Sequence, residues 1–116
     1  MTSENRRANP PRVLVYRHPN LEIRSFLTPK AISSYRVEYF KRDFFEQSEA
    51  SLESLGRIGE RAVRDLMALP GIEEIHIKPR EVWIKKTQSA AWDDIEAKII
   101  EILQRALRKK EIVRVK

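Results

Sequence analysis

Few side chains in this sequence could carry out chemistry, and they are scattered along it. The 116 residues include two histidines, His18 and His76, and no cysteine. Without thiols the chain cannot form a disulfide, use a thiolate nucleophile, or hold zinc or an iron–sulfur cluster through cysteine. Neither histidine has a second histidine at metal-ligand spacing, so we expect both to face solvent.

Two pairs of adjacent carboxylates, Glu73–Glu74 and Asp93–Asp94, are the remaining candidates for acid–base or magnesium chemistry. Adjacent residues of a helix do not face each other. A position in the first turn of a helix explains the aspartates better, because carboxylates there complement the helix dipole. No glycine-rich loop follows a predicted strand, so a phosphate-cradling nucleotide site is not supported. We therefore expect no enzyme, no bound metal and no cofactor.

The composition indicates one small domain. Hydrophobic residues make up 41% of the chain, and single domains cluster at roughly 100 to 150 residues. No apolar run approaches the roughly 18 residues of a membrane span, and no signal-peptide segment follows the N-terminus, so we expect a soluble, cytoplasmic protein without a membrane partner. The net charge of +6 comes from 23 basic and 17 acidic residues, which by itself is weak support for a nucleic-acid partner.

The first half of the chain has the period-two alternation of strands. The segments at 12–17 and 21–27 predict a hairpin, joined by the turn residues His18-Pro19-Asn20. A third alternating segment covers Tyr35 to Phe40. The polar connection from Lys41 to Ser54 follows, and we expect its two adjacent phenylalanines to fold back on the body of the protein.

The stretch from Leu66 to Lys86 contains the end of a helix, a stop and a hairpin. Apolar residues from Leu55 to Leu69 recur at helical spacing. The two glycines inside this helix indicate either fraying of its first turns or a close approach to a neighbouring backbone. Pro70-Gly71 ends the helix, and two alternating strands then follow, joined by a turn at Pro79.

A second helix is predicted from Ser89, which we assign as its N-cap. Basic residues fill its last turn, where they complement the helix dipole. The segment from Glu111 to Lys116 is predicted either to add a short edge strand or to be loose. The predicted buried stripe consists of Trp92, Ile95, Ile99, Ile102 and Ala106, flanked by Leu103 and Leu107.

Together these elements predict an α+β fold, with a mostly antiparallel sheet of four to six strands and two helices packed on one face. The helix between the third and fourth strands is the one place where a crossover could create a parallel neighbour. The predicted division is a disordered tail over 1–11, a domain over 12–108, and a basic C-terminal tail or edge strand over 109–116.

The outward side of the second hairpin is the candidate partner-binding site. If its isoleucines and valine pack under the helices, the alternate residues emerge on the opposite face. An exposed tryptophan among cations is typical of a protein-docking site or of a stacking platform for single-stranded nucleic acid. The third interpretation is that Trp83 is covered by Phe26, Phe40 or the Phe44-Phe45 connection. The candidate residues are His76, Lys78, Arg80, Trp83, Lys85 and Lys86.

The run MALPGIEEIHIKPREVWIKK, followed by a helix that opens with Trp92, resembles the N-terminal domain of the Nfu/NifU-type iron–sulfur scaffold proteins. Pro19-Asn20 with Ile23-Arg24 and the segment Arg36 to Tyr39 extend this resemblance, which covers about residues 13–107. The sequence departs from the family at the proline turn. There the family has glycine before the proline and aspartate followed by an aromatic residue after it, whereas this chain has Lys78, Arg80 and Glu81.

The resemblance implies a role in iron–sulfur cluster assembly or delivery. In the family a separate C-terminal domain with a Cys-x-x-Cys pair carries the cluster, and these residues contain no cysteine. The resemblance thus implies a non-enzymatic interaction module that binds a client protein or a separate Cys-x-x-Cys scaffold. The alternative is a basic RNA- or ribosome-associated domain that uses Arg6, Arg7, Arg12, the hairpin cations and Lys109-Lys110.

Overall fold

The computed structural model describes residues 11–34 and 37–115, with side chains as far as Arg108. A short 3-10 segment, Arg42–Gln47, follows the third strand. The strands are β1 (Leu14–Arg17), β2 (Ile23–Leu27), β3 (Glu38–Lys41), β4 (Ile72–Lys78) and β5 (Glu81–Lys86). The helices are α1 (Glu49–Ser54), α2 (Gly56–Met67) and α3 (Trp92–Val115).

The described strands form one sheet in the order β1-β2-β5-β4-β3, and every neighbouring pair is antiparallel. The predicted α+β class is confirmed. The polypeptide between β3 and β4 contains helices, yet it returns to an antiparallel neighbour, so no parallel pair arises among these strands. Residues 1–10 of the predicted tail over 1–11 and the predicted strand positions Tyr35 and Arg36 lie outside the described residues. The domain division at 12–108 stays a prediction.

The core lies between one face of the sheet and the helices α2 and α3. Alternation along each strand directs one set of side chains toward the helices, and the register aligns Phe26 with Val82 and Val82 with Ile77. All three are fully buried, as is Phe40 on the edge strand. The predicted stripe of the second helix is confirmed, because its seven residues belong to the same cluster.

Helix α3 begins at Trp92, so the predicted N-cap at Ser89 is wrong. The segment before the helix instead forms a turn, in which Ala90 donates to Thr87 and Thr87 donates to Gly71 through their backbone groups. The indole Nε1–H of Trp92 donates to the carbonyl oxygen of Leu21 at 2.8 Å. This bond ties the first turn of α3 to the β1–β2 connection. Asp93 and Asp94 occupy the first turn as predicted.

The backbone of α3 stays helical through Val115, so the edge strand predicted over Glu111–Lys116 is wrong for the residues described. The sequence of this segment, EIVRVK, is rich in β-branched residues, which favour strands locally. Extending an existing helix adds a hydrogen bond per residue without a new nucleation cost. Propagation from the packed part of α3 therefore overrides the local preference.

The connection from Lys41 to Ser54 is fixed to the body by Arg42. Its Nε donates to the carbonyl oxygen of Ile72 at 2.7 Å, and its Nη2 donates to those of Met67 and Leu69 at 2.8 and 2.9 Å. The last carbonyls of a helix have no partner within the helix, so Arg42 satisfies the C-terminal end of α2. Of the two predicted anchors, Phe45 packs against the core, whereas Phe44 is 59% exposed.

Gly59 lets helix α2 approach the loop after β2 closely. A Cβ atom at this position would lie 2.8 Å from the Cβ of Ser33 and 3.2 Å from the carbonyl oxygen of Ile32. Cβ atoms in real structures essentially never lie as close as 2.8 Å to such an atom. The close approach, one of the two interpretations of the helix glycines, is therefore confirmed at Gly59.

We expect Gly59→Ala to lower the free energy of unfolding by about 1 kcal/mol. Overpacking costs about 1–3 kcal/mol, and the higher helix propensity of alanine returns about 1 kcal/mol. Urea unfolding followed by tryptophan fluorescence measures the difference. Ser33→Gly removes the opposing Cβ, so the double variant should recover part of the loss. A stabilised Gly59→Ala protein would contradict the close approach.

Candidate functional site

The register of the β4–β5 hairpin decides which side chains reach the open face of the sheet. Ile75 lies opposite Ile84 and Ile77 lies opposite Val82, and all four are fully buried under the helices. Successive residues of a strand point to opposite faces. His76 and Trp83, which also lie opposite each other, therefore stand on the face that α2 and α3 do not cover.

A row of directly opposed residues crosses the open face from one edge of the sheet to the other. Each member pairs in register with the next, through all five strands. Four of the five carry rings, and the small Ser25 occupies the position on β2. We call this set the aromatic row, and its members in order from β1 to β3 are Tyr16, Ser25, Trp83, His76 and Tyr39.

The rings of the aromatic row contact one another instead of lying flat on the sheet. The imidazole of His76 stacks on the Trp83 indole, with centroids 3.9 Å apart and planes inclined by 19°. Tyr39 meets His76 edge to face, with centroids 4.5 Å apart. The stack uses one face of the indole, and the indole itself is half-buried.

The β1 end of the row is organised by His18. Its Nε2 is hydrogen-bonded to the Oγ of Ser25 at 2.8 Å, and its ring meets Tyr16 edge to face at 4.8 Å. Ser25 is 1% exposed. The imidazole of His18 thus contributes a further ring at the one position of the row that carries a small side chain.

A shallow hollow of about 210 Å³ lies at the β3 end of the row. Tyr39, 64% exposed, is the most accessible ring of the described sheet. A hollow of this size admits one or two side chains of a partner and is smaller than ordinary small-molecule sites, which begin at about 300 Å³. Its lining residues are Val37, Tyr39, His76, Lys78, Glu81 and Trp83.

Charges of both signs flank the aromatic row. On one side the register places Lys85 opposite Glu74, and Glu74 opposite Lys41. On the other side Lys78 lies opposite Glu81, with Nζ and Oε1 4.0 Å apart. Three lysines therefore alternate with two glutamates, so this face is an apolar ridge between mixed-charge borders and not a basic patch.

Burial lowers the pKa of His76. The loss of water around the ring is the largest cause, and the nearby Lys41 adds a small effect in the same direction. The carboxylate of Glu74, whose Oε1 lies 3.5 Å from Nε2, raises the pKa and offsets part of the shift. Burial of the ring therefore favours the neutral imidazole over the charged form.

Four of the six predicted site residues lie on the open face. His76 and Trp83 are at its centre, and Lys78 and Lys85 border it. Arg80 instead holds the loop after β2, because its backbone carbonyl accepts from Thr28 and its guanidinium donates to the carbonyl of Pro29. Lys86 follows the register of the buried residues on β5, so the structure does not bring it to the row.

The aromatic residues that the sequence reasoning did not assign to the site are Tyr16, His18 and Tyr39. The alternation along the third strand already placed Tyr39 and Phe40 on opposite faces of the sheet. What alternation cannot show is that β3 pairs with β4 and β2 with β5 in a register that aligns these rings. Phe26 and Phe40, proposed as covers for Trp83, lie in the core on the other face.

The candidates for chemistry in the described part of the chain are its histidines and carboxylates. No group of three or more histidine, aspartate or glutamate side chains within it is arranged to hold a metal ion. Asp93 and Asp94 lie in the first turn of α3, where the helix dipole accounts for them. None of the described helices combines the length and apolar character that crossing a membrane requires.

Solved structures share this fold. A NifU-like protein from Saccharomyces cerevisiae, determined by solution NMR, superposes with a TM-score of 0.66 and 18% identity over 94% of this chain and 85% of that chain. The crystal structure of protein SAV1430 from Staphylococcus aureus gives 0.59 and 10% identity over 79% of this chain and 98% of that chain. No protein-family model matches, and no curated protein sequence does either. At these identities the likeness shows a NifU-like α+β fold.

We expect acid to destabilise the protein through His76. Because the folded pKa lies below the unfolded value, the unfolded chain binds the proton more readily, and stability falls as the pH drops from about 6.5 toward the lowered pKa. His76→Phe keeps a ring and removes the titration. Between about pH 8 and about pH 5 the urea midpoint of this variant should therefore change less than that of the wild-type protein. An equal pH dependence in both proteins would contradict the assignment of the acid effect to His76. His18→Gln, which removes the other histidine and keeps His76, serves as the control.

Proposed function

We propose that this protein is a non-enzymatic interaction module of the cytoplasm, linked to iron–sulfur cluster assembly or delivery. It binds a protein partner, either a client or a separate Cys-x-x-Cys scaffold, through the open sheet face. The single observation that carries the proposal is an aromatic row, uncovered by any described helix, on a NifU-like fold.

The composition of the open face supports a protein partner. Tyrosine and tryptophan are enriched at the centres of protein interfaces, where a polar rim surrounds them. Here the row is bordered by lysines and glutamates that can pair with charges of either sign. The exposed rings of Tyr16 and Tyr39, 55% and 64% accessible, provide apolar surface that α2 and α3 leave uncovered.

The link to iron–sulfur chemistry rests on the family resemblance of the sequence and on the likeness to a NifU-like structure. These residues contain no cysteine, so in this proposal the thiolate ligands of a cluster come from the partner. The chain contributes recognition. Its histidines are engaged, since His76 is stacked on Trp83 and His18 is bonded to Ser25.

The ring geometry favours a protein over single-stranded nucleic acid. Base stacking needs aromatic faces that are free toward solvent. Here His76 occupies one face of Trp83, and the planes of Tyr39 and His76 are nearly perpendicular, so the rings do not form one flat platform for successive bases. The alternation of lysine and glutamate also gives no continuous track for phosphates. The RNA-binding alternative therefore becomes an outcome of the test.

The best variant for testing this proposal is Tyr39→Ala. Trp83→Ala would remove a half-buried ring and its stack, so lost binding could reflect lost structure. Tyr39 is largely exposed, and its truncation should leave stability almost unchanged. Phe44→Ala is a matched control, because Phe44 is an aromatic residue of similar exposure, 59%, on the 3-10 segment outside the sheet.

We expect the purified protein to bind a purified Cys-x-x-Cys scaffold domain or an apo client. Tyr39→Ala should weaken this binding about tenfold, a loss within the range found when an aromatic contact of an interface is truncated, and Phe44→Ala should not. Calorimetry measures the affinities, and nuclease-treated samples should bind equally well. Loss of binding after nuclease treatment, with a steep salt dependence, would support the RNA alternative. Equal affinities of both variants and wild type would refute the role of the open face.

A further inference from the structure

A groove of about 730 Å³ lies in the helical layer, on the other side of the molecule from the aromatic row. It runs between α2, α3 and the loop after β2. The floor is apolar and its residues are nearly inaccessible, each exposing 7% or less of its surface. These floor residues are Ile32, Leu55, Ala62, Ile102 and Ala106.

Small side chains on the two helices explain why the groove exists. Helices pack with axes about 8–10 Å apart, and the side chains at the contact fill the space between them. Here α2 contributes Ala62 and α3 contributes Ala106, which are too short to fill it. The groove volume falls within the range of about 300–1,000 Å³ that is typical of small-molecule sites.

Cationic side chains line the rim of the groove. Arg61 and Arg105 reach the one carboxylate in the lining, that of Asp65, at 3.5 and 3.9 Å. Arg105 also lies 3.7 Å from Glu101. Arg57 pairs with no carboxylate among the described residues, and none of the three guanidinium groups donates a hydrogen bond within that part of the chain. The donors of Arg57 are thus available to an anion, whereas Arg61 and Arg105 already lie beside the carboxylates of Asp65 and Glu101.

We propose that this groove binds an amphipathic anion of the fatty-carboxylate class. The apolar chain lies on the floor between Ala62 and Ala106, and the carboxylate is held at the rim by the arginines. Guanidinium and carboxylate form the strong, charge-assisted pairs that would fix its orientation. Burial of the apolar chain on the floor of the groove supplies most of the affinity. This site is independent of the iron–sulfur proposal.

The test uses the full chain and three amphiphiles with closely matched apolar chains and different head groups. They are laurate, dodecyl maltoside and dodecyltrimethylammonium, each kept below the concentration at which micelles form. Methyl resonances report where each one binds. We expect laurate to shift the methyl signals of Ile32, Ile58 and Ile102 saturably, whereas the Trp83 indole signal on the open face stays unchanged. The neutral amphiphile should bind more weakly, and the cation should not bind at this site.

Variants separate the head-group contact from the apolar contact. Arg57→Gln should weaken laurate binding about fivefold, the size expected for a partly exposed ion pair, and leave dodecyl maltoside unaffected. Arg108→Gln is the matched control, because Arg108 is an exposed cation of α3 that does not line the groove. Ala106→Leu should block both ligands by filling the floor. A thermal melt checks its fold, and if it does not fold, Arg57→Gln decides the test.

Several results would overturn the proposal. Equal binding of all three amphiphiles would show that the arginines do not select an anion. Shifts confined to the Trp83 indole would place the ligand on the open face. Absence of any saturable shift with laurate, or an equal loss of affinity in Arg57→Gln and Arg108→Gln, would also refute the site.

Discussion

The register between β4 and β5 is the constraint on which the rest of the structure depends. It pairs Ile75 with Ile84 and Ile77 with Val82 under the helices, and the same register pairs His76 with Trp83 outside. A slip of one residue would exchange the two sets, burying a charged and aromatic face and exposing the core. The buried pairs therefore hold the stacked rings in position, so the core and the candidate site are products of one alignment.

Much of this arrangement could be predicted from alternation alone. The apolar spacing of β4 and β5 separated Trp83, His76, Lys78 and Lys85 from the buried residues, and the structure keeps that separation. Alternation is a property of a single strand, however, and it does not show which strands pair. The predicted hairpin already joined the strand of Tyr16 to that of Ser25, whereas the alignment of Ser25 with Trp83 and of Tyr39 with His76 arises from antiparallel pairing between segments distant in sequence, which no local pattern specifies.

The features missed by sequence reasoning depend on contacts between distant segments. Sequence reasoning treated Arg42 only as part of a polar connection. In the structure its guanidinium donates to three backbone carbonyls at the end of α2 and the start of β4. Sequence reasoning treated Arg80 as a cation of the turn that is available to a partner. In the structure its guanidinium donates to the carbonyl of Pro29 in the loop after β2. In both cases the positive charge suggested that the side chain would point into solvent. The guanidinium, with five donors in a planar fork, instead donates to backbone carbonyls of segments distant in sequence.

A sheet covered on one side divides the molecule into two surfaces with different chemistry. On the open side, alternating lysines and glutamates border the stacked rings of His76 and Trp83. On the helical side, the close approach at Gly59 brings α2 against the loop at Ser33, and the short side chains of Ala62 and Ala106 leave an apolar groove beside that contact. Because the groove and the hollow at the β3 end of the aromatic row share no lining residue, a substitution in the lining of one leaves the lining of the other unchanged, and the two proposals can be tested separately.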